Sequence, residues 1–380
     1  MRIAYFAYSD LKKPGAARIH VSSIIEGMLR AGHRVTLITP GCYPAPDFEG
    51  VDSVILKKSL PSCFGWSLAA AGFVRGNSSD FDVAYVRDFW VSTSLFRALG
   101  KANISSVLEV NGLVRNEKRG TPPRFRILSE LDWAFSLTPR LRLADRVICV
   151  SPYLAELAAE KSGAPDQCRF LPNGVDIDLY SPGDRRAARR KLNLPAEAPI
   201  VGSVGSILKY HLGGPLPEII ESLTADYPDL IWLFVGGGDG EEELRGRLGR
   251  FVESGTVRFI GRVPVEESAD YVNALDIAAA WSTPGSAMLG WPMRLAAYAA
   301  CGVPMVGPDW PTYTYFAEKG ALVGVKNGEA SGYVRAICEL LDNPKKAGEI
   351  GEAGRKYATE ELSWGKIANE TNSIINEIAP

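Results

Sequence analysis

Histidine is scarce in this 380-residue chain: His20, His33 and His211 are the only three. Three imidazoles so far apart do not make a histidine-rich metal site. Cysteine is thin as well. Cys42, Cys63, Cys149, Cys168, Cys301 and Cys338 include no CxxC pair, which argues against a zinc site or a redox dithiol. Idle thiols in a reducing compartment suit a chain long enough to fold without disulfides. Long apolar runs are also missing. The two longest uncharged stretches, 59–74 and 277–293, are broken by proline and glycine. Both fall short of the ~20 apolar residues that span a bilayer. The first residues open directly on a strand-like Arg2-Ile3-Ala4-Tyr5-Phe6-Ala7, without the charged head and apolar stretch of a signal peptide. The expected location is therefore cytoplasmic, at most peripheral on the inner face of the plasma membrane. Excess charge is lacking too: the net charge of −2 argues against a general nucleic-acid partner. Four familiar signatures are absent: the GxxxxGK[ST] phosphate loop, a GxGxxG after the first strand, the GxSxG elbow and HExxH.

What is present is a well-mixed globular composition, 46% hydrophobic and 23% charged, over a length that makes two domains the default. The charge is unevenly shared. Residues 1–181 carry 22 Lys and Arg against 18 Asp and Glu, and residues 182–380 carry 20 against 26. A basic half joined to an acidic half suggests that something anionic meets the first one. Short apolar runs alternate with amphipathic stretches throughout. Strands are expected at 3–7, 35–38, 83–86, 107–110, 147–150 and 169–171. The alternation breaks at Asn173-Gly174-Val175-Asp176 and a basic helix over 185–191. It then restarts with strands at 200–204, 230–235, 257–260, 277–280, 304–306 and 322–325. Such βαβ alternation implies parallel sheets covered by helices. The fold class is α/β, two doubly wound Rossmann-like domains in tandem, with ligands at the carboxyl ends of the strands and a cleft where the domains face each other.

Three turns carry candidate chemistry. Gly15, with small neighbours ahead of a helix, lets backbone N–H groups approach an anion, although a plain turn explains it equally well. The stretch Gly205-Ser206-Ile207-Leu208-Lys209-Tyr210-His211 follows a strand and offers a lysine and a histidine to phosphate oxygens; a solvated loop is the alternative. In 281–302 a loop of small residues, including Gly285 and Ser286, leads to a helix beginning near Pro292. Arg294 then falls in the first turn, where a cation opposes the helix dipole. That placement makes sense if Arg294 reaches a bound phosphate, and an idle surface arginine is the alternative. Arg262 completes the set at the end of the third strand of this half. Asp176-Ile177-Asp178 imitates a metal-binding DxD but belongs to the linker. Asp276 reads as a helix terminator. Finally, 113–142 and its flanks hold Arg115, Lys118, Arg119, Arg124, Arg126, Arg140, Arg142 and Arg146 against Glu117, Glu130, Asp132 and Asp145, with Phe125, Trp133 and Phe135 interleaved. Basic and aromatic residues together suit an anionic membrane surface; a solvated helix face is the alternative.

The chain resembles the GT-B glycosyltransferases, specifically the retaining family GT4. The segments that carry the resemblance are AGHRVTLIT (31–39), LEVNG (108–112), ADRVICVS (144–151), LPNGVD (171–176), VGSVGS (201–206), LFVGGGDG (233–240), VRFIGRVP (257–264), PMRLAAYAACGVPMV (292–306) and LSW (362–364). The resemblance implies an N-terminal acceptor domain over 1–172, completed by a crossover helix at 362–380. It implies a nucleotide-sugar domain over 173–361. The implied function is transfer of a sugar, of the hexosyltransferase type, from a nucleoside-diphosphate sugar to a hydroxyl on a lipid-linked or polysaccharide acceptor. No metal or other cofactor is implied, and the acceptor attacks from the leaving-group side without a strong base. Glu109, Asn111, His211 and Arg294 are then the catalytic candidates. Gly15, Gly205, Ser206, Lys209, His211, Arg262, Gly285, Ser286 and Arg294 are the donor-binding ones. Two departures stand out. The family's glutamate pair falls on Leu289 and Ala297, which leaves the ribose hydroxyls to water, backbone or a neighbour such as Tyr298. The usual loop histidine is Asn111. A non-catalytic sugar-binding homologue is the alternative from a different class. A sugar-nucleotide epimerase is a third reading, for which the needed acidic and histidine groups find no place in the sequence.

Overall fold

The computed structural model describes all residues except 44–45, 58–62, 114–122, 210–211, 213 and 282–289, and it leaves the side chains of 123–126 and 128 undescribed. The chain divides into two compact units. One comprises Met1–Asn173, Leu289–Trp291 and Trp364–Pro380; the other comprises Gly174–Met288 and Pro292–Ser363.

In the first unit the described strands are β1 (Arg2–Phe6), β2 (Arg34–Pro40), β3 (Asp52–Leu56), β4 (Val83–Arg87), β5 (Ser105–Val110), β6 (Arg146–Cys149) and β7 (Cys168–Phe170). They form one sheet in the order β3-β2-β1-β4-β5-β6-β7, and every pairing is parallel. Six of the seven match the strands read from the sequence. Strand β3 was missed because it lies at the sheet edge and is only partly buried, so it lacks the continuous apolar run of a strand covered on both faces. The second unit repeats the logic with β8 (Ile200–Val204), β9 (Ile231–Val235), β10 (Val257–Gly261), β11 (Ile277–Ala279), β12 (Met305–Pro308) and β13 (Leu322–Val325), in the order β10-β9-β8-β11-β12-β13. Its strands β8 and β9 are buried at every residue. In both sheets the order reverses beside the first strand of the unit, the place where doubly wound sheets leave room for ligands.

The linker region of the second unit is held by specific polar contacts. The Asp176 carboxylate accepts from the N–H groups of Asp178 and Leu179, both at 3.0 Å, which caps a turn. Arg355 donates to the carbonyls of Tyr180 (3.0 Å) and Ala300 (2.8 Å). The basic helix Arg185–Lys191 is capped by Asp184, and its Arg189 is buried against Asp276 at 2.6 Å. Asp276 also accepts from the Ile200 N–H at 2.7 Å, so it anchors the start of β8 rather than ending a helix.

In the first unit the helix Ala16–Arg30 buries His20, Val21, Ile24, Ile25, Gly27 and Met28. The last helix, Trp364–Ile378, lies across it, and Asn372 Nδ2 donates to the Gly27 carbonyl at 3.1 Å. A Cβ placed at Gly27 would fall 2.1 Å from the Ala368 Cβ. Gly27 is therefore a point of close approach between the two helices. Gly27→Val should cost about 1–3 kcal/mol through overpacking, and urea unfolding followed by circular dichroism measures it. Gly100→Val, where an added Cβ meets nothing within 4 Å, supplies the control. It should hold or slightly raise stability, because valine is the better helix former of the two.

Candidate functional site

Three neighbouring strands of the second unit end in glycines with positive φ: Gly205 after β8 (146°), Gly236 after β9 (125°) and Gly261 at the end of β10 (84°). Side chains avoid this region and glycine does not. The Gly205 N–H donates to the Val235 carbonyl at 2.8 Å, and the Gly236 N–H donates to the Gly261 carbonyl at 2.7 Å. The strand ends thus lean on one another. A Cβ at Gly236 would fall 2.0 Å from the Gly205 oxygen, and one at Gly238 would fall 2.2 Å from the Ile207 oxygen. The glycine run 236–238 is a packing requirement that lets the loop after β9 lie backbone to backbone on the turn after β8. Further bonds close the turn: Gly240 N–H to the Ile207 carbonyl at 3.0 Å and Lys209 N–H to Asp239 Oδ1 at 3.1 Å.

Arg294 stands over this turn. It lies in the first turn of the helix Met293–Ala300, and a Cβ at Gly205 would be 3.6 Å from its Cβ and Cδ. Its guanidinium donates to the Trp281 carbonyl at 3.3 Å. Ser206 and Lys209 are exposed on the same turn, and exposed Arg262 lies along Gly237. The structure therefore brings Gly205, Ser206, Lys209, Arg262 and Arg294 to one edge of the second unit. His211, Gly285, Ser286 and Leu289 lie outside the described residues.

Tyr298 has a different place from the one its neighbour suggested. It is fully buried, and its hydroxyl accepts from the Val204 N–H at 2.8 Å, donates to the Val204 carbonyl at 3.0 Å and lies 3.3 Å from Ser203 Oγ. Burial pushes this phenol's pKa up. The hydroxyl is spent on pinning the end of β8, so it is no partner for a ribose. Ala297, beside it, is buried and has no polar side-chain atom.

In the first unit Gly15 (φ 153°) opens the helix Ala16–Arg30, with no acidic residue in the first turn and open space where a Cβ would stand. Glu109 and Asn111 come together at the carboxyl end of β5. Glu109 is 1% exposed. Its Oε1 accepts from Asn111 Nδ2 at 2.5 Å, lies 2.6 Å from His20 Nε2 and sits 3.4 Å from Arg87. Burial alone would raise the Glu109 pKa. The His20 charge and hydrogen bond, with Arg87 and Tyr85, outweigh it and hold the carboxyl at about 2. Burial, with Glu109 adding to it, drives the Tyr5 and Tyr85 hydroxyls upward. His20 and Arg87 were not singled out from the sequence. The signal for His20 was there: it stands four residues before Ile24 and eight before Met28, on the apolar face of its helix, where a polar group needs a partner.

A second buried cluster lies beside the first. Arg140, 2% exposed, donates to both Asp88 oxygens (2.8 and 3.0 Å) and to both Asp132 oxygens (2.9 and 3.0 Å). Asp132 Oδ1 also accepts from the Val91 N–H, and the Asp88 N–H donates to the Glu109 carbonyl, each at 2.8 Å. Three of the cations counted in 113–142 and its flanks are thus engaged within the protein. Arg140 is inside the protein, Arg142 donates to the Ser162 carbonyl at 3.1 Å, and Arg146 pairs with Glu377 at 3.0 Å. Arg115, Lys118 and Arg119 lie outside the described residues, as do the side chains of Arg124, Phe125 and Arg126.

Two family models match the chain: Glycosyltransferase Family 4 over residues 17–179 and Glycosyl transferases group 1 over residues 184–357. A GDP-mannose-dependent monoacylated alpha-(1-6)-phosphatidylinositol monomannoside mannosyltransferase of Corynebacterium glutamicum is 26% identical over 61% of this chain, and the match spans 62% of that relative's length. A D-inositol 3-phosphate glycosyltransferase of Corynebacterium jeikeium is 30% identical over 100% of this chain and 97% of its own. Among solved structures, Anabaena HepE in complex with UDP and glucose superposes with a TM-score of 0.77 at 18% identity, covering 99% of this chain and 100% of that one. That likeness is one of fold, the two-domain GT-B architecture.

Two outcomes follow from this geometry. The Glu109 pKa is depressed from an ordinary 4.5 to about 2. The ionised carboxylate therefore stabilises the fold above the ordinary range, and that contribution is lost as pH falls from about 5 toward 2. The stability gap between the native chain and Glu109→Gln, measured by urea unfolding, should be wide at pH 7 and narrow at pH 3. A gap that stays constant would mean that Glu109 carries no such charge coupling. Separately, Tyr298→Phe leaves the buried Val204 N–H without its partner. It should lower stability by about 1–3 kcal/mol, read from the same unfolding curves.

Proposed function

We propose that this chain, which belongs to glycosyltransferase family 4 and has the GT-B fold, is a retaining glycosyltransferase. It moves a sugar from a nucleoside-diphosphate sugar to a hydroxyl of a lipid-linked or polysaccharide acceptor. The observation that carries the reading is the stacked turn at Gly205, a glycine with positive φ that has Arg294 over it and exposed Lys209 and Arg262 beside it. Glycine lets a diphosphate approach the backbone, and guanidinium and ammonium groups neutralise it. In the transfer, the bond between sugar C1 and the diphosphate oxygen breaks, the acceptor oxygen bonds C1, and the acceptor proton leaves with the diphosphate. Negative charge grows on the leaving group, where Arg294, Lys209 and His211 stabilise it without a metal. Asn111, held by Glu109, orients a sugar or acceptor hydroxyl. The names of the relatives, a mannosyltransferase and an inositol phosphate glycosyltransferase, support a lipid or polyol acceptor.

A second reading has its own observation. Ala297 offers no acceptor and Tyr298 is occupied, so neither binds the ribose, which favours a sugar-binding homologue without catalysis. Turnover of any sugar nucleotide excludes it.

The acceptor class bears on location. Among the described residues no helix is long and apolar enough to cross a membrane. The helix Pro123–Phe135, however, exposes Ile127 (61%), Leu131 (48%) and Phe135 (74%) at four-residue spacing, on one face. An apolar stripe preceded in sequence by Arg115, Lys118, Arg119, Arg124 and Arg126 suits insertion at an anionic bilayer surface. With Arg140, Arg142 and Arg146 engaged elsewhere, attachment depends more on apolar insertion than the bare charge count implied.

Two measurements test these readings. Arg294→Ala should weaken UDP or GDP binding by about tenfold or more, the worth of a charge-assisted hydrogen bond; unchanged calorimetric affinity removes Arg294 from the site. In sedimentation with anionic phosphatidylglycerol vesicles, binding should fall only partly as salt rises, since salt screens charge and not burial. Leu131→Asp with Phe135→Asp should abolish the salt-resistant part while the melting temperature holds. A protein that ignores such vesicles at low salt has no membrane face on this helix.

A further inference from the structure

We propose that His20 is a positioning residue that acts through Glu109 to orient the carboxamide of Asn111, so that Asn111 presents Oδ1 to a hydroxyl of the substrate. The inference rests on the glycosyltransferase reading and gives this position a chemical preference. An ionised carboxylate only accepts hydrogen bonds. Because Asn111 Nδ2 donates to Glu109 Oε1 at 2.5 Å, its amide nitrogen is turned inward and its oxygen is the group left to face outward. Asn111 itself is half-buried at the carboxyl end of β5. An outward acceptor suits a partner that donates, such as a sugar or polyol hydroxyl, and repels a phosphate oxygen. This position therefore reads a neutral, hydroxyl-bearing part of the acceptor or the transferred sugar.

His20 decides whether this orientation holds. Glu109 Oε1 has His20 Nε2 at 2.6 Å and Arg87 at 3.4 Å, so the imidazole is the nearer of these two partners. The His20 ring is restrained in turn by Trp364, whose ring packs edge-on at 5.5 Å from the start of the last helix. Helix Ala16–Arg30, strand β5 and helix Trp364–Ile378 thus meet at one carboxylate. Without His20, Arg87, at 3.4 Å from the same oxygen, is the cation left to hold Glu109. The carboxylate would swing toward it, and the amide of Asn111 would lose its fixed sense.

The test reads Asn111 directly. Its side-chain NH2 pair in a 15N TROSY spectrum of the full chain is assigned by its disappearance in Asn111→Ser. In the native protein one proton of the pair should lie downfield and exchange at least about tenfold more slowly than an exposed asparagine, as a charge-assisted bond requires. A native Asn111 pair that exchanges like an exposed one overturns the proposal without any variant. His20→Phe should collapse the shift and the protection. His20→Gln, whose amide nitrogen can occupy the place of Nε2, should restore both. A folded His20→Phe protein with an unchanged Asn111 pair also overturns the proposal. Release of UDP from UDP-glucose and of GDP from GDP-mannose is followed in parallel. If the native protein releases neither, the catalytic reading fails on its own, and the amide signals still decide the positioning role.

Discussion

Parallel pairing is the constraint from which the rest of this protein follows. A parallel sheet sends every strand-to-helix turn to the same edge, and a sheet covered on both faces keeps that edge the one place where polar groups can gather. In the first unit the edge collects Gly15, Glu109 and Asn111, with Asp88 and Arg87 at the end of β4. In the second unit it collects Gly205, Gly236 and Gly261, with Arg294 and Arg262 beside them. The two sheets share a strand order through their first six strands, yet their edges carry different chemistry. One is a set of buried ion pairs; the other is a backbone turn with Arg294 over it and Arg262 beside it.

Burying charge is costly unless it is paired, and each buried charge in the first unit has found its partner on another element. Glu109 on β5 takes His20 from the first helix. Arg140 takes Asp88 from the end of β4 and Asp132 from a neighbouring helix. Asp88 and Glu109 are tied again through the backbone, so the two clusters form one polar layer. Burial raises the Asp88 pKa even against the pull of Arg140, and it lowers the Arg140 pKa less than the two aspartates raise it. The same layer anchors the helix that exposes Ile127, Leu131 and Phe135, because Asp132 lies on that helix. A hydrophobic surface stripe is thus fastened from beneath by charge.

In the second unit the contacts are tighter and mostly backbone. Tyr298 pins Val204 from below while Gly236 and Gly238 admit the neighbouring loop from the side. A turn held this way presents its outer face at small entropic cost, because its conformation is already decided before any ligand arrives.

The sequence by itself determined the architecture. Strands buried on both faces must be continuous apolar runs, so twelve of the thirteen described strands were legible within a residue or two, and only the half-exposed edge strand Asp52–Leu56 escaped. It also determined which turns could carry donor chemistry, since glycine, arginine and lysine at strand ends are local facts. Tertiary structure alone decided what each polar group does. Arg140 and Arg124 look alike in a charge count, but Arg140 is locked between Asp132, on the preceding helix, and Asp88, far away in sequence. Tyr298 looks like a spare donor until its hydroxyl is seen on Val204. His20 looks like one polar residue on an apolar helix face until Glu109 arrives from β5. The reason is physical: the energy of a charge or hydroxyl depends on its burial and its partners, and those partners lie 52, 94 and 89 residues away along the chain.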